Sequence, residues 1–230
     1  MKKKLLVFTG AGISAESGIK TFRDSGGLWE EFKISEVATA DAWKNNPELV
    51  LNFYNERRKQ IKVANPNLAH QWIANMESHF EVQVITQNID DLHERAGSSK
   101  ILHLHGEIMK ARSTLNPKLT YPVSPQGISL GDRCERGSQL RPHIVFFNED
   151  VVEMQNAYSL TSQAEIFVTI GTSLSVYPAA SLIEYVDEDV PKYLVDPGAF
   201  NLGYIPNFLH IAETATNGVK ILEKELKKFF

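Results

Sequence analysis

The sequence is poor in cysteine, has no excess of basic residues and contains no long apolar run, and each of these absences excludes a class of protein or site. Its 230 residues contain one cysteine, Cys134, so no internal disulfide can form and a zinc site made of cysteines is excluded. Acidic residues (28) outnumber Lys and Arg (24), and the net charge of −4 argues against a nucleic-acid groove. No apolar run reaches the roughly 18 residues that span a bilayer, and the four apolar residues after Lys4 are too few for a signal peptide. We therefore expect a cytoplasmic protein that has neither nucleic acid nor membrane as a partner.

The composition is that of an ordinary globular chain, with 43% hydrophobic and 23% charged residues. A chain of this length buries roughly 70% of its unfolded surface, which is enough for a core without cross-links. The sequence contains no internal repeat and no low-complexity linker.

Short apolar runs and helical patterns alternate along the chain. The candidate strands are Leu5–Phe8, Val82–Ile85, Ile101–Leu104, Ile144–Phe147, Ile166–Ile170 and Tyr193–Val195. The candidate helices between them are 67–78, 151–163, 178–186 and 214–229. Most runs are apolar throughout, which is typical of parallel strands covered on both faces. The alternation predicts an α/β fold with a Rossmann-like, doubly wound parallel sheet.

Two stretches fit this alternation poorly and predict a second unit. The first reads as consecutive helices, and the second is rich in Pro and Gly with weak periodicity. We assign 28–74 and 111–140 to a small insert-built module, and 1–27, 75–110 and 141–230 to a Rossmann-like domain. This arrangement predicts a cleft between the module and the sheet.

A glycine-rich loop follows the first strand. Gly10, Gly12 and Ala15 match G-x-G-x-x-[G/A], in which glycine allows a sharp turn and a close backbone approach to a pyrophosphate. The same match is compatible with a tight strand-to-helix turn that binds no ligand. An ordinary dinucleotide fold also needs an acid about 20 residues on, after a second strand. Glu30 follows no strand, which argues against an ordinary dehydrogenase, and Asp196 at the end of a predicted strand is an alternative ribose ligand.

Polar residues recur where the predicted strands end, which is the edge at which open α/β sheets bind ligands. His105 is the leading candidate for a general base, because imidazole titrates near neutral pH. Asn88 and Asp90 offer the donor and acceptor that a carboxamide needs, or alternatively an Asx turn that caps the next helix. We interpret the other histidines as structural (His93, His103, His143) or as solvated or helix-surface residues (His70, His79, His210).

Tyr54 and Arg57 lie three residues apart in a predicted helix and therefore share one face. A phenol beside a guanidinium can clamp an anion, and the guanidinium fork matches a carboxylate. The alternative is a surface charge near a buried tyrosine.

Taken together, these motifs resemble those of the sirtuins, the NAD-dependent protein-lysine deacylases. The motifs follow the family's order over nearly the whole chain: Gly10-Ala11-Gly12-Ile13-Ser14, Gly18-Ile19-Lys20-Thr21-Phe22-Arg23-Asp24, Gly27-Leu28-Trp29, Thr86-Gln87-Asn88-Ile89-Asp90, His105-Gly106, Leu140-Arg141-Pro142, Phe147-Asn148-Glu149 and Gly171-Thr172-Ser173-Leu174. Tyr54-Asn55-Glu56-Arg57 is similar to the Tyr-x-x-Arg signature of the desuccinylase/demalonylase-like subgroup. The resemblance therefore favours the anion clamp over the surface charge.

The resemblance implies NAD as the cofactor and assigns the site residues. The implied NAD contacts are Gly10, Ala11, Gly12, Ile13, Phe22, Arg23, Gln87, Asn88, Ile89, Asp90, Gly171, Thr172, Ser173, Asp196 and Ala215. The implied catalytic residues are His105, Asn88 and Asp90. The implied contacts to acylated-lysine proteins or peptides are Tyr54, Arg57, Phe147, Asn148 and Glu149, with the last three pairing with the peptide as an added strand.

The implied reaction removes succinyl, malonyl or acetyl groups from protein lysines, and releases nicotinamide and O-acyl-ADP-ribose. The alternatives are an ADP-ribosyltransferase and a non-catalytic sensor of NAD or ADP-ribose. We expect a monomer.

The sequence departs from the family at two places. Most sirtuins hold a structural zinc with two Cys-x-x-Cys pairs, whereas this chain has Ser113-Thr114-Leu115-Asn116 at the first pair and only Cys134 near the second. We therefore predict no metal, and expect packing of Leu119, Tyr121 and Ile128 to stabilise 111–140. Asn148 replaces the usual Gly and is expected to narrow peptide acceptance.

Overall fold

A computed structural model describes residues 2–20, 32–174, 176–198 and 203–230 as a mixed α/β fold. The strands are β1 (Lys4–Thr9), β2 (Glu81–Thr86), β3 (Ile101–His103), β4 (Gly106–Ser113), β5 (Thr120–Pro122), β6 (Leu140–Ile144), β7 (Ile166–Ile170), β8 (Lys192–Val195) and β9 (Phe208–Ile211). Six of them form a parallel sheet in the order β3-β2-β1-β7-β8-β9. The other three form an antiparallel sheet in the order β5-β4-β6.

The helices surround the large sheet or form the module beside it. The α-helices in the described ranges are α1 (Gly12–Ala15), α2 (Ile34–Val37), α3 (Ala40–Asn45), α4 (Pro47–Val63), α5 (Leu68–Asn75), α6 (Leu92–Ala96), α7 (Met154–Thr161) and α8 (Ala215–Leu226). Shorter 3₁₀ helices cover Met76–Ser78, Ala179–Tyr185 and Lys227–Phe229. None of the helices in these ranges has the length and apolar character needed to cross a membrane.

The side chains of the central strand β1 are buried on both faces of the large sheet. Successive side chains of a strand point to opposite faces. Leu5 and Val7 pack with α5 and α8 in one buried cluster. Leu6 and Phe8 pack with α7 and the 3₁₀ helix Ala179–Tyr185 in another. The predicted doubly wound parallel sheet is confirmed.

One predicted strand is wrong. Residues 144–147 do not join the large sheet, because the chain there belongs to the end of the antiparallel β6 and the turn after it. Strands β4, β5 and β9 were not predicted. Strand β4 mixes apolar and charged residues and is only partly buried, so it lacks the continuous apolar run that marks most strands of the large sheet.

The division of the chain into two units remains a prediction. In the structure the antiparallel sheet extends from Gly106 to Ile144, beyond the stretch 111–140 that we assigned to the module.

The interpretation of His70 as a solvated or helix-surface residue is wrong. His70 lies in α5 and is fully buried. Its ring centroid is 5.0 Å from that of His93. Its Nδ1 lies 3.0 Å from Oδ1 of the helix-capping residue Asn67. Burial lowers the pKa of His70 to about 4.

Candidate active site

A cavity of about 270 Å³ lies at the carboxyl ends of β1 and β2, between the large sheet, α4 and the segment after β6. This is the edge at which open α/β sheets bind ligands. The cavity is lined by eleven of the residues predicted from the sequence: Ala11, Tyr54, Arg57, Gln87, Asn88, Ile89, Asp90, His105, Phe147, Asn148 and Glu149. Residues from five separate parts of the chain therefore meet at one place.

His105 lies between β3 and β4, and its imidazole is fixed by one hydrogen bond. Nδ1 is 3.0 Å from the carbonyl oxygen of Gln87. A carbonyl can only accept, so Nδ1 carries the proton and Nε2 is the basic nitrogen of the neutral ring. Burial lowers the pKa of His105, and the bond to Gln87 opposes this in part. The imidazole is thus neutral and able to accept a proton at pH 7.

Asn88 and Asp90 follow β2 and are both buried. Asn88 Nδ2 donates to the Gly10 carbonyl at 3.1 Å and to Ser14 Oγ at 3.2 Å. Ser14 Oγ donates to Asp90 Oδ2 at 3.0 Å, and the N–H of Leu92 donates to Asp90 Oδ1 at 3.1 Å. Burial raises the pKa of Asp90, while these two hydrogen bonds lower it. Asp90 therefore forms an Asx-type turn that leads into α6 and lines the cavity at the same time, so the two interpretations of this residue are compatible.

Gln87 carries a polar group suited to a sugar hydroxyl. Its Nε2 is buried and has no hydrogen-bond partner among the described residues. A buried donor without a partner is costly, because it has lost its bond to water. A ligand hydroxyl would satisfy it, so this side of the cavity fits the ribose of a nucleotide such as NAD.

The glycine-rich loop is shaped by its contact with the loop after β7. Gly171 has φ +67°, and a Cβ there would lie 2.2 Å from the backbone nitrogen of Ile13. The N–H of Gly12 donates to the Gly171 carbonyl at 2.8 Å, and that of Gly10 to Ile170 at 3.1 Å. The N–H of Gly12 is thus bonded within the protein, and the role of Gly12 as an NAD contact stays a prediction. The glycines allow two loops to approach each other, and Ala11 is the loop residue that lines the cavity.

The remaining predicted NAD contacts lie along the same sheet edge but do not line the cavity. Gly171, Thr172 and Ser173 follow β7, Asp196 follows β8, and Ala215 begins α8. The carboxylate of Asp196 accepts the N–H of Gly198 at 2.8 Å. Two further predicted contacts, Phe22 and Arg23, lie outside the described residues.

Glu16 was not predicted and links the glycine-rich loop to α8. Its carboxylate accepts the N–H of Thr216 at 2.9 Å and the hydroxyls of Thr214 and Thr216 at 3.1 and 2.6 Å. A carboxylate at a helix N-terminus is stabilised by the unpaired N–H groups there.

Helix α4 places Tyr54 and Arg57 in the wall of the cavity. The helix begins at Pro47 after the capping residue Asn46, and its apolar face is buried. Tyr54 is 4% and Arg57 8% exposed, so the alternative of a surface charge is wrong. Arg57 Nη2 donates to the Lys20 carbonyl at 2.7 Å. Burial lowers the pKa of Arg57, whereas the charges of Asp90 and Tyr54 raise it.

An adjacent side of α4 fixes this helix to β4 of the small sheet and to the segment that contains Ile128. Asn55 donates from Nδ2 to the Ile128 carbonyl at 2.9 Å and accepts the N–H of Ile128 on Oδ1 at 3.0 Å. Arg58 Nε donates to the Ile108 carbonyl at 2.8 Å. Within the motif, Tyr54 and Arg57 line the cavity, whereas Asn55 bonds to Ile128. The spacing of the motif predicts the shared face of Tyr54 and Arg57 but not the contact of Asn55.

The segment Phe147-Asn148-Glu149 forms a turn at the rim of the cavity. The N–H of Phe147 donates to Ala38 at 2.8 Å, and its carbonyl accepts the N–H of Ala40 at 3.2 Å. The N–H of Phe147 is therefore already bonded within the protein, whereas its carbonyl keeps a second acceptor site, so the strand addition to a peptide stays a prediction. Asn148 has φ +69°, a left-handed conformation in which glycine is commoner.

The segment in place of the zinc-binding pairs is stabilised by local contacts. Ser113 Oγ is 2.8 Å from Ser138 Oγ, which lies 3.3 Å from the buried Cys134 Sγ. Ile128 packs with Leu51 and Ala111, as expected. The absence of zinc stays a prediction.

One cluster elsewhere in the described residues has potential metal ligands, namely Glu94, His103 and Glu107. It contains no cysteine, and Nε2 of His103 pairs with Glu94 at 2.6 Å.

Several cavity residues were not predicted: Ser14, Ile19, Ala38, Ile61, Ile144, Val145, Phe146, Val151, Val176, Tyr177 and Pro178. Ser14 lies inside the glycine fingerprint and Ile19 inside the motif that follows it, so these two had a local signal. The others are mostly apolar residues whose sequence pattern does not distinguish a cavity wall from a core.

The fold and the site define a doubly wound α/β protein with a buried basic imidazole, an amide–carboxylate pair and a buried guanidinium around one cavity. The sequence profile of the Sir2 family matches residues 10–178, and the chain belongs to that family.

Known proteins resemble it over most of its length. It is 50% identical over 224 residues to an NAD-dependent protein deacylase of Helicobacter pylori (strain J99), covering 97% of this chain and 95% of that protein. A crystal structure of a Sir2 homologue with NAD has a TM-score of 0.87 at 35% identity, covering 99% of this chain and 90% of that chain. A complex of a Sir2 homologue variant with ADP-ribose has a TM-score of 0.88 at 35% identity, covering 99% and 93%.

Proposed function

We propose that the protein is an NAD-dependent protein-lysine deacylase that prefers acidic acyl groups, succinyl and malonyl, and also accepts acetyl. The observation that carries the proposal is the buried guanidinium of Arg57 in the cavity that also contains His105. The Sir2 family and the related deacylases support the reaction, and Arg57 supports the acyl preference.

The residues of the chain fit NAD as the second substrate. NAD supplies an activated ribose carbon and nicotinamide as the leaving group. The unpartnered Nε2 of Gln87 would bind a ribose hydroxyl, and Asn88 and Asp90 would bind the carboxamide. Nε2 of His105 would accept the proton of a ribose hydroxyl, since Nδ1 is bonded to Gln87.

The apolar part of the cavity would keep water from the reacting atoms. Ile19, Ile61 and Phe146 line it beside the polar groups. Exclusion of water matters because NAD would otherwise be hydrolysed.

Arg57 and Tyr54 would select the acyl group. The guanidinium would pair with the terminal carboxylate of a succinyl or malonyl group, and the phenol lies one helical turn away on the same face. A neutral acetyl group leaves the guanidinium without this partner, but its bond to the Lys20 carbonyl remains.

The decisive experiment compares succinylated, malonylated and acetylated forms of one peptide with NAD, for the wild type and Arg57→Met. We expect Arg57→Met to lower kcat/KM for the two acidic groups about 100-fold, because truncating one partner of a buried charge pair costs about 2–5 kcal/mol. The loss for acetyl should stay within about threefold. Glu56→Gln is the control, since the ion pair of Glu56 with Lys59 is exposed on the same helix.

Equal losses for all three acyl groups would contradict the clamp. Mass analysis of the peptide separates the alternatives in the same experiment. Deacylation lowers the mass, ADP-ribosyl transfer raises it, and a non-catalytic sensor leaves it unchanged.

A further inference from the structure

Glu149 is the residue of the rim turn whose side chain the proposed reaction does not use. Its Oε1 accepts Arg141 Nη1 at 2.6 Å. Its Oε2 accepts Arg141 Nη2 at 3.0 Å, Arg112 Nη2 at 3.1 Å and the N–H of Phe146 at 2.9 Å. A carboxylate has about four acceptor sites, so four internal donors occupy its capacity. These bonds lower the pKa of Glu149, although burial opposes them.

The two arginines are placed so that they need this carboxylate. Arg112 in β4 and Arg141 in β6 are direct partners in the antiparallel register. Like charges directly opposite each other on a sheet are destabilising. Burial, and next the charge of Arg141, lower the pKa of Arg112. The Arg141 guanidinium carbon also lies 3.9 Å from the ring centroid of Phe146, the residue directly before the rim turn.

The rim turn is therefore anchored on both sides of Asn148. On one side, the backbone of Phe147 is bonded to Ala38 and Ala40. On the other, Glu149 is bonded to the two arginines of the small sheet, and its N–H donates to the Phe146 carbonyl at 3.1 Å. Asn148 lies between these anchors in its left-handed conformation and lines the cavity.

We propose that Arg112, Glu149 and Arg141 are positioning residues that hold the rim turn in the shape that receives the acylated peptide. They act through the turn and do not contact NAD. This inference rests on the proposed deacylase reaction. It also assigns Glu149 a role different from the direct substrate contact that the sequence suggested.

The test measures KM for the acylated peptide, KM for NAD and kcat in Glu149→Gln. We expect KM for the peptide to rise about tenfold, with the other two constants within about twofold of the wild type. Glutamine has the same size but is neutral and has one acceptor oxygen, so it releases the turn from at least one arginine.

A pair of lysine variants keeps the test valid if Glu149→Gln does not fold. Arg112 makes one bond to Glu149, so Arg112→Lys should retain the wild-type KM for the peptide. Arg141 makes two bonds in a fork that lysine cannot reproduce, so Arg141→Lys should raise that KM about as much as Glu149→Gln. Glu107→Gln is the matched control, since it neutralises a carboxylate in the same sheet whose ion pair, with Lys110, is only partly buried.

Peptides with and without basic residues beside the acylated lysine separate positioning from charge recognition. A positioning role predicts the same rise in KM for both. A rise confined to basic peptides would overturn the inference, as would a parallel change in kcat and KM for NAD. If the wild type turns over the peptide and both Glu149→Gln and Arg141→Lys leave KM for the peptide unchanged, the inference is overturned while the proposed function stands. A wild type with no turnover would instead overturn the proposed function.

Discussion

At the scale of single residues, His105 shows how one hydrogen bond determines chemistry. The Gln87 carbonyl fixes the proton on Nδ1 and leaves Nε2 as the base that faces the cavity. Burial lowers the pKa of the ring from its usual 6.5, which keeps it neutral at pH 7. The geometry and the titration therefore favour the same protonation state.

The first prediction concerns the pH dependence of His105. Because the neutral form is required and its pKa lies below 6.5, activity should be retained above the folded pKa and lost only as pH falls through it. The acid limb of kcat/KM, measured from pH 5 to 8, should therefore fall below pH 6.5. His105→Ala should lower kcat about 10²–10⁴-fold.

His79→Ala is the control, since His79 is exposed and stacks on Phe230 at 4.1 Å. An acid limb at or above pH 6.5, or nicotinamide release that survives His105→Ala, would contradict this role.

At the scale of elements, the loops after β1 and β7 form one unit. The fingerprint predicted glycine because the backbone there approaches a pyrophosphate closely, and the structure adds a second requirement for glycine, because the two loops touch. Gly12 and Gly171 are the contact, and their proximity depends on the parallel pairing of β1 with β7. A motif of adjacent residues around Gly12 cannot predict a contact with Gly171, which lies about 160 positions further along the chain.

Gly171→Ala tests this contact. The new Cβ would meet the Ile13 backbone at 2.2 Å, and φ +67° is unfavourable for alanine. We expect a loss of at least about 3 kcal/mol in the free energy of unfolding, since overpacking and backbone strain add. Urea unfolding measures it.

Gly131→Ala separates the two causes. Gly131 also has a positive φ, +97°, but nothing lies within 4 Å of its added Cβ. It should cost only about 1–2 kcal/mol, the backbone strain alone. Equal losses for the two variants would show that the contact between the loops contributes nothing.

At the scale of the whole molecule, two histidines buried under the large sheet make stability depend on pH. His70 and His93 lie with ring centroids 5.0 Å apart, and burial lowers the pKa of both, that of His70 to about 4. Each ring has a nitrogen without a hydrogen-bond partner among the described residues. Protonation of either ring would place a charge in an apolar region.

Acid should therefore destabilise the fold between pH 6.5 and about 4. The unfolded chain binds a proton at His70 near pH 6.5 and the folded chain only near 4, so this stability is complete above 6.5 and is lost as pH falls. The loss from His70 amounts to about 3 kcal/mol. Urea unfolding at pH 7.5, 5.5 and 4.5 measures it.

His70→Gln should flatten this pH dependence, whereas His79→Gln at the surface should not change it. A wild type as stable at pH 4.5 as at pH 7.5 would contradict the prediction.

The order of residues along the chain is enough to predict the layers of the fold and the chemistry at the carboxyl edge of the large sheet. Continuous apolar runs gave β1, β2, β7 and β8, because a strand covered on both faces must be apolar on both. His105, Asn88, Asp90 and Arg57 could be found because they follow strands or share a helical face.

Which polar groups already have a partner within the protein becomes visible only in the folded chain. Glu149 pairs with Arg112, and Asn55 bonds to Ile128, although the partners are far apart in sequence. His70 is buried although it lies in a segment rich in polar residues. Local periodicity records whether a side chain is buried by its own element. Local periodicity does not predict which distant element covers that side chain. The covering element decides whether a carboxylate binds a substrate or another part of the protein.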